Sequence, residues 1–338
     1  MKTLKTFWFL LLLSSLYSPI LFAQREADNW IFGEWAGLNF TSGDPVPIFN
    51  QGNSGGFFGT VMSDSTGNLL FYSNGNTVWN RNDDIMMNGS GLLPEHNAAW
   101  QNTITFPKPG STTQYYLFSV SHQYFPDGLY YSVIDMTLDG GFGGVTSLKN
   151  IKLETAAMAA SQLFALKNDT GDGYWVISRL YNDDRYICFK VDETGIHPDP
   201  VYSSPAIYRE MGSADGRIRV SPDKKNVITS YHTNDMTEPP MGLEVCTFNK
   251  STGFIDFQYM ISRPDLLGGY CVPWDCEISP DSKFLYVSYS MIISSPSGWA
   301  LCQYNMNLIG DSAAFYNSCT KVLDKAGQSL QLSNDGRI

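Results

Sequence analysis

The stretch SPDKKNVITSYH at residues 221–232 is repeated in kind as SPDSKFLYVSYS at residues 279–290. Each copy places Ser, Pro and Asp before a run of β-branched and aromatic residues, which predicts a tight turn followed by a β-strand. A third copy, SDSTGNLLFYSN, begins at Ser63, and SNDGRI at residues 333–338 has the beginning of the same pattern. A strand–turn–strand unit that recurs along one chain indicates a fold built from repeats.

Looser copies of this unit occur between the clear ones, from Pro107 and from Leu166, so that the turns are spaced roughly 45 to 60 residues apart. A second element, with Cys, Thr and Gly at identical offsets, recurs as YICFKVDETG (186–195) and EVCTFNKSTG (244–253). It is typical of the third strand in a four-stranded β-propeller blade. The sequence therefore predicts an all-β propeller over residues 24–338, with seven blades favoured, six as the alternative, and an incomplete C-terminal end.

The first residues have the pattern of a cleaved signal peptide, which we assign to residues 1–23. Lys2 and Lys5 give a positive start, residues 7–13 form a short apolar core, and Ala23 is the small residue before the expected cleavage point. No later apolar run approaches the length of a membrane span. We therefore expect an exported protein without a membrane span, either secreted or held at the cell surface.

The charge of the chain excludes one class of partner. The formal net charge is −11, with 22 Lys and Arg against 33 Asp and Glu, and the basic residues are scattered. A nucleic-acid-binding protein needs a basic patch or stripe to neutralise phosphates. We therefore expect no nucleic-acid partner, and an acidity that keeps an exported protein soluble.

Three longer stretches resemble a family of exported Bacteroidota proteins: NWIFGEWAGLNFTSGDPVPIF (29–49), DSTGNLLFYSNGNTVWNRNDDIMMNGSGL (64–92) and GLYYSVIDMTLDGGFGGV (128–145). In that family a propeller-like region precedes PKD-type modules and a C-terminal sorting domain for type IX secretion or gliding motility. The resemblance implies a cell-surface or released location and a monomer within a multidomain chain. It implies no catalytic residues. Because neither module precedes Ile338, we interpret the sequence as a fragment.

The usual signatures of catalytic and metal sites are missing from the sequence. It has no His-Glu-x-x-His pair, no Gly-x-Ser-x-Gly elbow and no phosphate-binding glycine loop. NDTGDG at residues 168–173 has the acidic character of a calcium loop but lacks its ligand spacing, so a hairpin turn is favoured. The sequence predicts no catalytic residue, no metal ligand and no cofactor, and leaves calcium or zinc open.

The cysteines follow the repeat. Cys188, Cys246 and Cys302 occupy one position in three different blades, which predicts that they are buried and not paired with one another. One disulfide is open among the other three cysteines: Cys271, Cys276 and Cys319.

The register of the second strands predicts one functional face. When LFSVSH, VISRLY and VITSYH are aligned, two histidines and a tyrosine fall at the same position, just past the strand end. The loops that lead into the first strands should lie on the same face, around the central channel. Eight residues are therefore ligand-face candidates: His96, Trp100, His122, Arg179, Tyr181, His232, Trp274 and Asp275. The alternative is that these polar residues only close the strand ends.

Two functions from different classes remain. The favoured hypothesis is a non-catalytic extracellular or cell-surface adhesion module that binds a glycan or a protein. It relies on exposed aromatic side chains that could stack on sugar rings: Trp79, Trp100 and Trp274. The alternative is a propeller hydrolase or lyase with a metal or acid–base site at the channel mouth, built from His96, His122, His232 and Asp275.

Overall fold

In a computed structural model the regular secondary structure of the described residues is mostly antiparallel β-sheet, arranged in six sheets. The model describes residues 25–32, 36–48, 59–93, 101–121, 127–156, 159–208, 216–231, 241–262, 264, 267, 271–291, 298–324, 327, 329–333 and 336–338. The predicted signal peptide, residues 1–23, lies outside these ranges. None of the helices in the described part of the chain has the length and apolar character needed to cross a bilayer.

Each sheet is one blade, and its strands follow one another along the chain. Blade 1 contains β1 (Asn29–Phe32), β2 (Ala36–Asn39) and β3 (Val46–Ile48). Blade 2 contains β4 (Thr60–Ser63), β5 (Leu69–Ser73) and β6 (Val78–Asn80). Blade 3 contains β7 (Thr103–Pro107), β8 (Gln114–Val120), β9 (Leu129–Asp135), β10 (Gly144–Val145) and β11 (Ile151–Leu153).

The second half of the chain repeats the arrangement with longer strands. Blade 4 contains β12 (Ala159–Lys167), β13 (Tyr174–Leu180), β14 (Tyr186–Asp192), β15 (Gly195–Ile196) and β16 (Val201–Tyr202). Blade 5 contains β17 (Ile218–Val220), β18 (Asn226–Tyr231), β19 (Gly242–Asn249) and β20 (Phe254–Ile261). Blade 6 contains β21 (Cys271–Ile278), β22 (Phe284–Met291), β23 (Gly298–Asn305) and β24 (Thr320–Leu323), with a short helix α1 (Ser312–Asn317) between the last two.

The architecture is a six-bladed β-propeller. The propeller class is confirmed, and the blade number is the smaller of the two considered rather than the favoured seven. The first strands of successive blades pack beside one another, β1 on β4, β4 on β7, β7 on β12, β12 on β17 and β17 on β21, and so line the centre of the ring.

The blades are not uniformly four-stranded as predicted. In blades 3 and 4 the outer strand is broken into two short pieces that both pair with the third strand: β10 and β11 with β9, and β15 and β16 with β14. Pro198 and Pro200 lie in the second of these breaks, and a proline has no N–H to offer a strand ladder. In blade 2, Ile85 makes only a single bridge to Trp79 where a fourth strand would lie.

The sixth turn signal, at Ser333, forms a turn but no sheet. Ser333 N–H donates to the Arg337 carbonyl, as in the other turns, yet residues 329–333 belong to no strand ladder among the described residues. Because propellers protect their edges by closing the ring, the sequence also predicts that the N-terminal strand pairs in a closing blade. In the structure β1 instead pairs with β2 in its own sheet. A described link between the C-terminal segment and blade 1 is instead the ion pair of Arg337 with Asp44, at 2.9 Å.

The Ser-Pro-Asp turns have the structural role that their composition indicates. Ser221 Oγ donates to Asp223 Oδ1 at 2.6 Å and accepts from the Asn226 N–H. Lys224 and Ser282 occupy equivalent positions with φ of 57° and 58°, a left-handed conformation that only a tight turn imposes on such residues. The turns of blades 5 and 6 also touch, because the Asp223 N–H donates to Ser282 Oγ at 3.0 Å.

The apolar core lies between neighbouring blades. One cluster joins blades 3 and 4, where Phe118 and Ile187 are fully buried, and others join blades 4 and 5 and blades 5 and 6. The predicted burial of Cys188, Cys246 and Cys302 is found, and none of the three forms a disulfide. The other three cysteines form no disulfide either.

Cys319 is only partly buried, and its thiol exchanges a hydrogen bond with the thiol of Cys302. No disulfide therefore joins Cys271, Cys276 and Cys319, which was the pairing left open.

Candidate functional site

One end of the propeller is where the first strands begin and the second strands finish. The registers establish this, because Ile218 at the start of β17 pairs with Thr229 near the end of β18, and Cys271 at the start of β21 pairs with Met291 at the end of β22. We call this end the mouth. Four of the eight ligand-face candidates precede first strands or follow second strands but lie outside the described residues: His96, Trp100, His122 and His232. The other four are described.

A channel cluster of four buried charged residues surrounds Asp275. Arg219 lies on the first strand of blade 5, and Arg217 directly precedes that strand. Asp275 and Glu277 lie on the first strand of blade 6. Arg217 Nε lies 3.0 Å and Arg219 Nη2 lies 3.4 Å from the Asp275 carboxylate, and Arg219 Nε lies 3.0 Å from Glu277 Oε2. Two positive and two negative side chains thus neutralise one another.

The channel cluster also binds the C-terminal segment. The backbone N–H of Leu330 donates to Asp275 Oδ2 at 2.9 Å, and that of Leu332 donates to Glu277 Oε2 at 3.1 Å. Arg219 Nη2 returns a bond to the Leu330 carbonyl at 3.1 Å. The Asp275 side chain is fully buried and both of its oxygens are occupied, so it is not free to act as an acid, a base or a metal ligand.

Burial and the positive charge of Arg219 both lower the pKa of Arg217. Burial lowers the pKa of its guanidinium, Asp275 opposes that effect, and the neighbouring Arg219 adds to it, so the pKa falls below its ordinary value. For Arg219, burial is outweighed by Glu277 and Asp275, and the pKa rises. Both groups stay charged at physiological pH, because the ordinary pKa of an arginine is so high.

A second charged group, the interblade cluster, lies between blades 4 and 5 at the mouth. Arg179 near the end of β13 is fully buried, and its Nη2 donates to Glu244 Oε1 of β19 at 3.1 Å. Its guanidinium carbon lies 4.4 Å from the ring centre of Tyr186. Tyr186 in turn donates its hydroxyl to Glu244 Oε2 at 2.6 Å. Burial lowers the pKa of Arg179, but Glu244 and Tyr186 outweigh it and raise the pKa above its ordinary value.

The interblade cluster contains polar atoms that find no partner. Arg179 Nε and Nη1, and both the oxygen and the nitrogen of the Gln162 amide, are buried and make no hydrogen bond within the described structure. Gln162 lies on β12 and Arg179 on β13, next to each other where Leu163 pairs with Ser178. Both face blade 5, since Gln162 Nε2 lies beside Gly216 and Arg179 contacts Glu244.

A neighbouring glutamine shows that such an amide can be satisfied here. Gln101, just before β7, accepts from the Ile218 N–H at 3.0 Å and donates to the Ile218 carbonyl at 3.3 Å. Gln101 also forms a bridge with the backbone of Gln162. Two adjacent glutamines at the mouth therefore differ, because one amide is bonded on both sides and the other on neither.

The remaining candidates do not form an open binding face. Tyr181 is 1% exposed and lies within hydrogen-bonding distance of Ser161, at 3.3 Å, beside buried Tyr231. Trp274 is half-buried, edge-to-face with Trp299 at 5.3 Å between ring centres.

Trp79, proposed to stack on a sugar, is 5% exposed and stacks on Tyr72 instead. The expectation of an exposed tryptophan is therefore wrong for Trp79, whereas Trp274 keeps part of its surface exposed and stays a prediction.

No set of three or more His, Cys, Asp or Glu side chains that could hold a metal ion occurs within the described ranges. The structure thus pairs Asp275 with two arginines. It places Arg179 in the second cluster, 65 residues in sequence from Glu244. Sequence reasoning missed five residues of the two clusters: Gln162, Arg217, Arg219, Glu244 and Glu277.

Comparison with known proteins gives a fold and no family. No protein-family model matches the sequence, and no curated protein matches it. Among solved structures, a candidate 6-phosphogluconolactonase from Bacteroides uniformis is similar, with 13% identity and a TM-score of 0.50 over 91% of this chain and 87% of that one.

Two other solved structures are less similar. The periplasmic gluconolactonase of Pseudomonas aeruginosa has 11% identity and a TM-score of 0.49 over 87% of this chain and 77% of its own. An oligogalacturonate lyase in complex with manganese has 11% identity and a TM-score of 0.43 over 89% of this chain and 75% of its own. At these identities the likeness establishes the propeller fold alone.

Proposed function

We propose that this protein is a propeller enzyme, a hydrolase or lyase that acts on a carbohydrate outside the cytoplasm at the mouth of the propeller. The observation that carries the proposal is the interblade cluster, where Gln162 and Arg179 hold four buried polar atoms without partners. Buried polar groups in native proteins are nearly always bonded, and exceptions concentrate at functional sites. A module that serves only as a scaffold has no reason to retain them.

The comparison of folds supports the enzyme class over the binding module favoured from the sequence. The solved propeller that matches at a TM-score of 0.50 bears the name of a lactonase, and it is covered over 87% of its length. Propellers carry both binding and catalytic functions, so the name suggests a reaction class to test.

The packing of the tryptophans weakens the binding hypothesis. That hypothesis needs flat aromatic surfaces exposed to sugar rings. Trp79 is buried against Tyr72, and Trp274 packs against Trp299. Trp100 lies outside the described residues and stays a prediction.

The proposal assigns charge stabilisation and acid–base catalysis to two different residues. Arg179 would stabilise negative charge on the substrate, because a fixed, buried guanidinium stabilises developing charge without reorganisation. His232 is our candidate for the acid–base group, since it directly follows Tyr231 in the sequence and histidine is the side chain most often used for acid–base catalysis near neutral pH. Asp275 has no role in the step, because Arg217, Arg219 and the C-terminal segment occupy its carboxylate.

The test is an activity screen on the purified full chain. Glucono-δ-lactone, followed by proton release, tests the hydrolase, and oligogalacturonate, followed by the ultraviolet absorbance of the unsaturated product, tests the lyase. We expect one of these reactions, and a loss of about a hundredfold or more in His232→Ala.

His197→Ala is the matched control. His197 is 42% exposed in its side chain and lies 2.7 Å from Asp192, at the end of blade 4 opposite the mouth, so this variant should retain full activity. Glycan binding without turnover of either substrate would contradict the proposal and favour the adhesion module.

A further inference from the structure

The unpartnered polar atoms of Gln162 and Arg179 are expected to lower the stability of the folded chain. Leaving a buried donor or acceptor unsatisfied costs about 1–3 kcal/mol for each group. Gln162 is 1% exposed and Arg179 0%, so bulk water does not satisfy them. A ligand that forms hydrogen bonds with these atoms would offset the cost of keeping both residues.

Both side chains lie on the side of blade 4 that packs against blade 5. They come from adjoining strands of blade 4 and both face blade 5. Opposite them, the chain has Gly216, whose φ of +136° excludes other residues. A Cβ there would lie 1.9 Å from the Ser230 carbonyl oxygen and 3.1 Å from Gln162 Nε2. The glycine therefore permits the close approach of β17 to the Gln162 amide.

The chemistry of the atoms selects the ligand. Three of the four are donor nitrogens, Arg179 Nε, Arg179 Nη1 and Gln162 Nε2, and the fourth is the acceptor Gln162 Oε1. Several donors beside one acceptor fit a carboxylate with a hydroxyl group next to it. A guanidinium bonds a carboxylate more strongly than a neutral oxygen, because the hydrogen bonds are charge-assisted.

The other atoms of the cluster are already in use and set the orientation of Arg179. Its Nη2 is held by Glu244 Oε1 and the Ile207 carbonyl, and the Tyr186 ring lies against the face of the guanidinium. The positive charge of Arg179 is balanced by Glu244, so a bound carboxylate is recognised through hydrogen bonds of fixed direction rather than through net charge.

We propose that Gln162 and Arg179 together form a receptor for the carboxylate of a sugar acid. This inference rests on the proposed function and names its substrate class. The receptor holds the acid group by the Gln162 amide N–H and one N–H of the Arg179 guanidinium, and its neighbouring hydroxyl by the Gln162 oxygen. It distinguishes a sugar acid from the parent neutral sugar.

The experiment compares glucuronate with glucose by isothermal titration calorimetry on the full chain. We expect the wild-type protein to bind glucuronate in preference to glucose. Gln162→Met, which keeps the shape of the side chain and removes its polar atoms, should weaken glucuronate binding by about tenfold or more. Gln258→Met on the exposed edge of β20 is the matched control and should bind as the wild type does.

Thermal unfolding without ligand separates the ligand from trapped water. Because Gln162→Met removes two unsatisfied atoms, we expect its midpoint to equal or exceed that of the wild type. A lower midpoint together with no glucuronate binding would show that only water occupies the site and would overturn the inference. Equal affinities of wild type and Gln162→Met, or of glucuronate and glucose, would also overturn it.

Failure of the receptor and failure of the enzyme give different results. Glucuronate binding that depends on Gln162, without turnover of any substrate, would uphold the receptor and contradict the proposed function. Turnover that is unchanged in Gln162→Met would do the reverse. Arg179 is left intact in these tests, since its removal would leave the Glu244 carboxylate buried without its cation.

Discussion

The channel cluster and the interblade cluster are made from the same materials, buried arginines facing buried carboxylates of the next blade, and they differ in completeness. Every carboxylate oxygen of Asp275 and Glu277 accepts from an arginine or from a backbone N–H. In the interblade cluster only the Glu244 side is complete, while Arg179 and Gln162 keep unbonded nitrogens and an unbonded oxygen.

The difference separates a structural role from a functional one. A fully bonded network rigidifies the fold and has nothing left to offer a ligand. A partly bonded network is worse for stability than an apolar core, so it persists only where another benefit offsets its cost. The carboxylates are fully bonded in both clusters, and the clusters differ in their donors. Each arginine of the channel cluster contacts a carboxylate, although the Arg217 Nε contact is an ion pair rather than an aligned hydrogen bond. In the interblade cluster Arg179 Nε and Nη1 and the whole Gln162 amide have no such contact among the described residues.

The largest effect is expected from Asp275→Asn. The substitution leaves Arg217 and Arg219 buried with one carboxylate between them, and unpaired buried charge is strongly destabilising. We expect the free energy of unfolding to fall by about 3–5 kcal/mol in urea denaturation. Asp324→Asn, whose carboxylate is 80% exposed and pairs with Lys321, should change it by less than about 0.5 kcal/mol. An equal change in the free energy of unfolding in both variants would contradict a structural role for the channel cluster.

A smaller loss is expected from Glu244→Gln. The amide still accepts from the Ile207 N–H, but it no longer neutralises Arg179. We expect the free energy of unfolding to fall by about 2–3 kcal/mol, measured under the same conditions as for Asp275→Asn. If Glu244→Gln were the more damaging of the two, the interblade cluster would be the more important for stability, and our comparison would be reversed.

Gly216→Ala tests the wall of the interblade cluster. A Cβ at this position meets the Ser230 carbonyl at 1.9 Å and adopts a φ of +136°, so we expect a loss of about 1–3 kcal/mol. Gly310→Ala is the matched control, because no atom lies within 4 Å of a Cβ there, and thermal unfolding should leave it close to the wild type. Equal midpoints for the two variants would mean that β17 does not approach Gln162 as described.

The smallest effect concerns the turns, whose aspartates belong to neither cluster. Burial raises the pKa of Asp64, but hydrogen bonds from Thr66 and Asn68 outweigh it and lower the pKa from 3.8 to about 2. Ser279 and Lys283 likewise lower the pKa of Asp281 to about 2. A carboxyl whose pKa is lower in the folded chain stabilises it above pH ~4 and loses that contribution as the pH falls toward 2.

We therefore expect urea midpoints to fall between these pH values, and to fall less in Asp64→Asn. An equal fall in both proteins would place the acid sensitivity elsewhere, for instance in the carboxylates of the channel cluster.

The propeller could be predicted because its signals are local. The residues of each Ser-Pro-Asp turn determine its conformation, and the spacing of the turns indicates the length of a blade. The number of blades was wrong for the same reason, since Ser333 has the turn chemistry but no sheet follows from it in the described residues. A turn is a property of a few residues, whereas a sheet needs strands to pair.

The channel cluster also had a signal in the sequence. Arg217 and Asp275 each stand four residues before the turn serine of their blade, and Arg219 and Glu277 each stand two residues before it. Opposite charges at equal register on successive first strands predict contact once the blades are aligned. We interpreted Asp275 as part of a ligand site, but its position in the sequence pattern indicated the ion pairs that it forms with Arg217 and Arg219.

The interblade cluster had no such signal. Arg179 lies on a second strand and Glu244 on a third, so their contact depends on how blade 5 is rotated against blade 4. Gln162 shows even less, since nothing in its neighbourhood distinguishes it from Gln101, whose amide is fully bonded. Whether a polar atom lacks a partner is decided by packing in three dimensions.

The binding of the C-terminal segment to Asp275 has a consequence for the order of folding. The carboxylate and the Leu330 N–H that donates to it are 55 residues apart, so during synthesis the first strand of blade 6 emerges well before the peptide groups that complete its charged edge. Until those groups arrive, the four charged side chains remain accessible to water. We expect the docking of residues 329–333 to be a late step, which seals the charges only after the six blades have already formed.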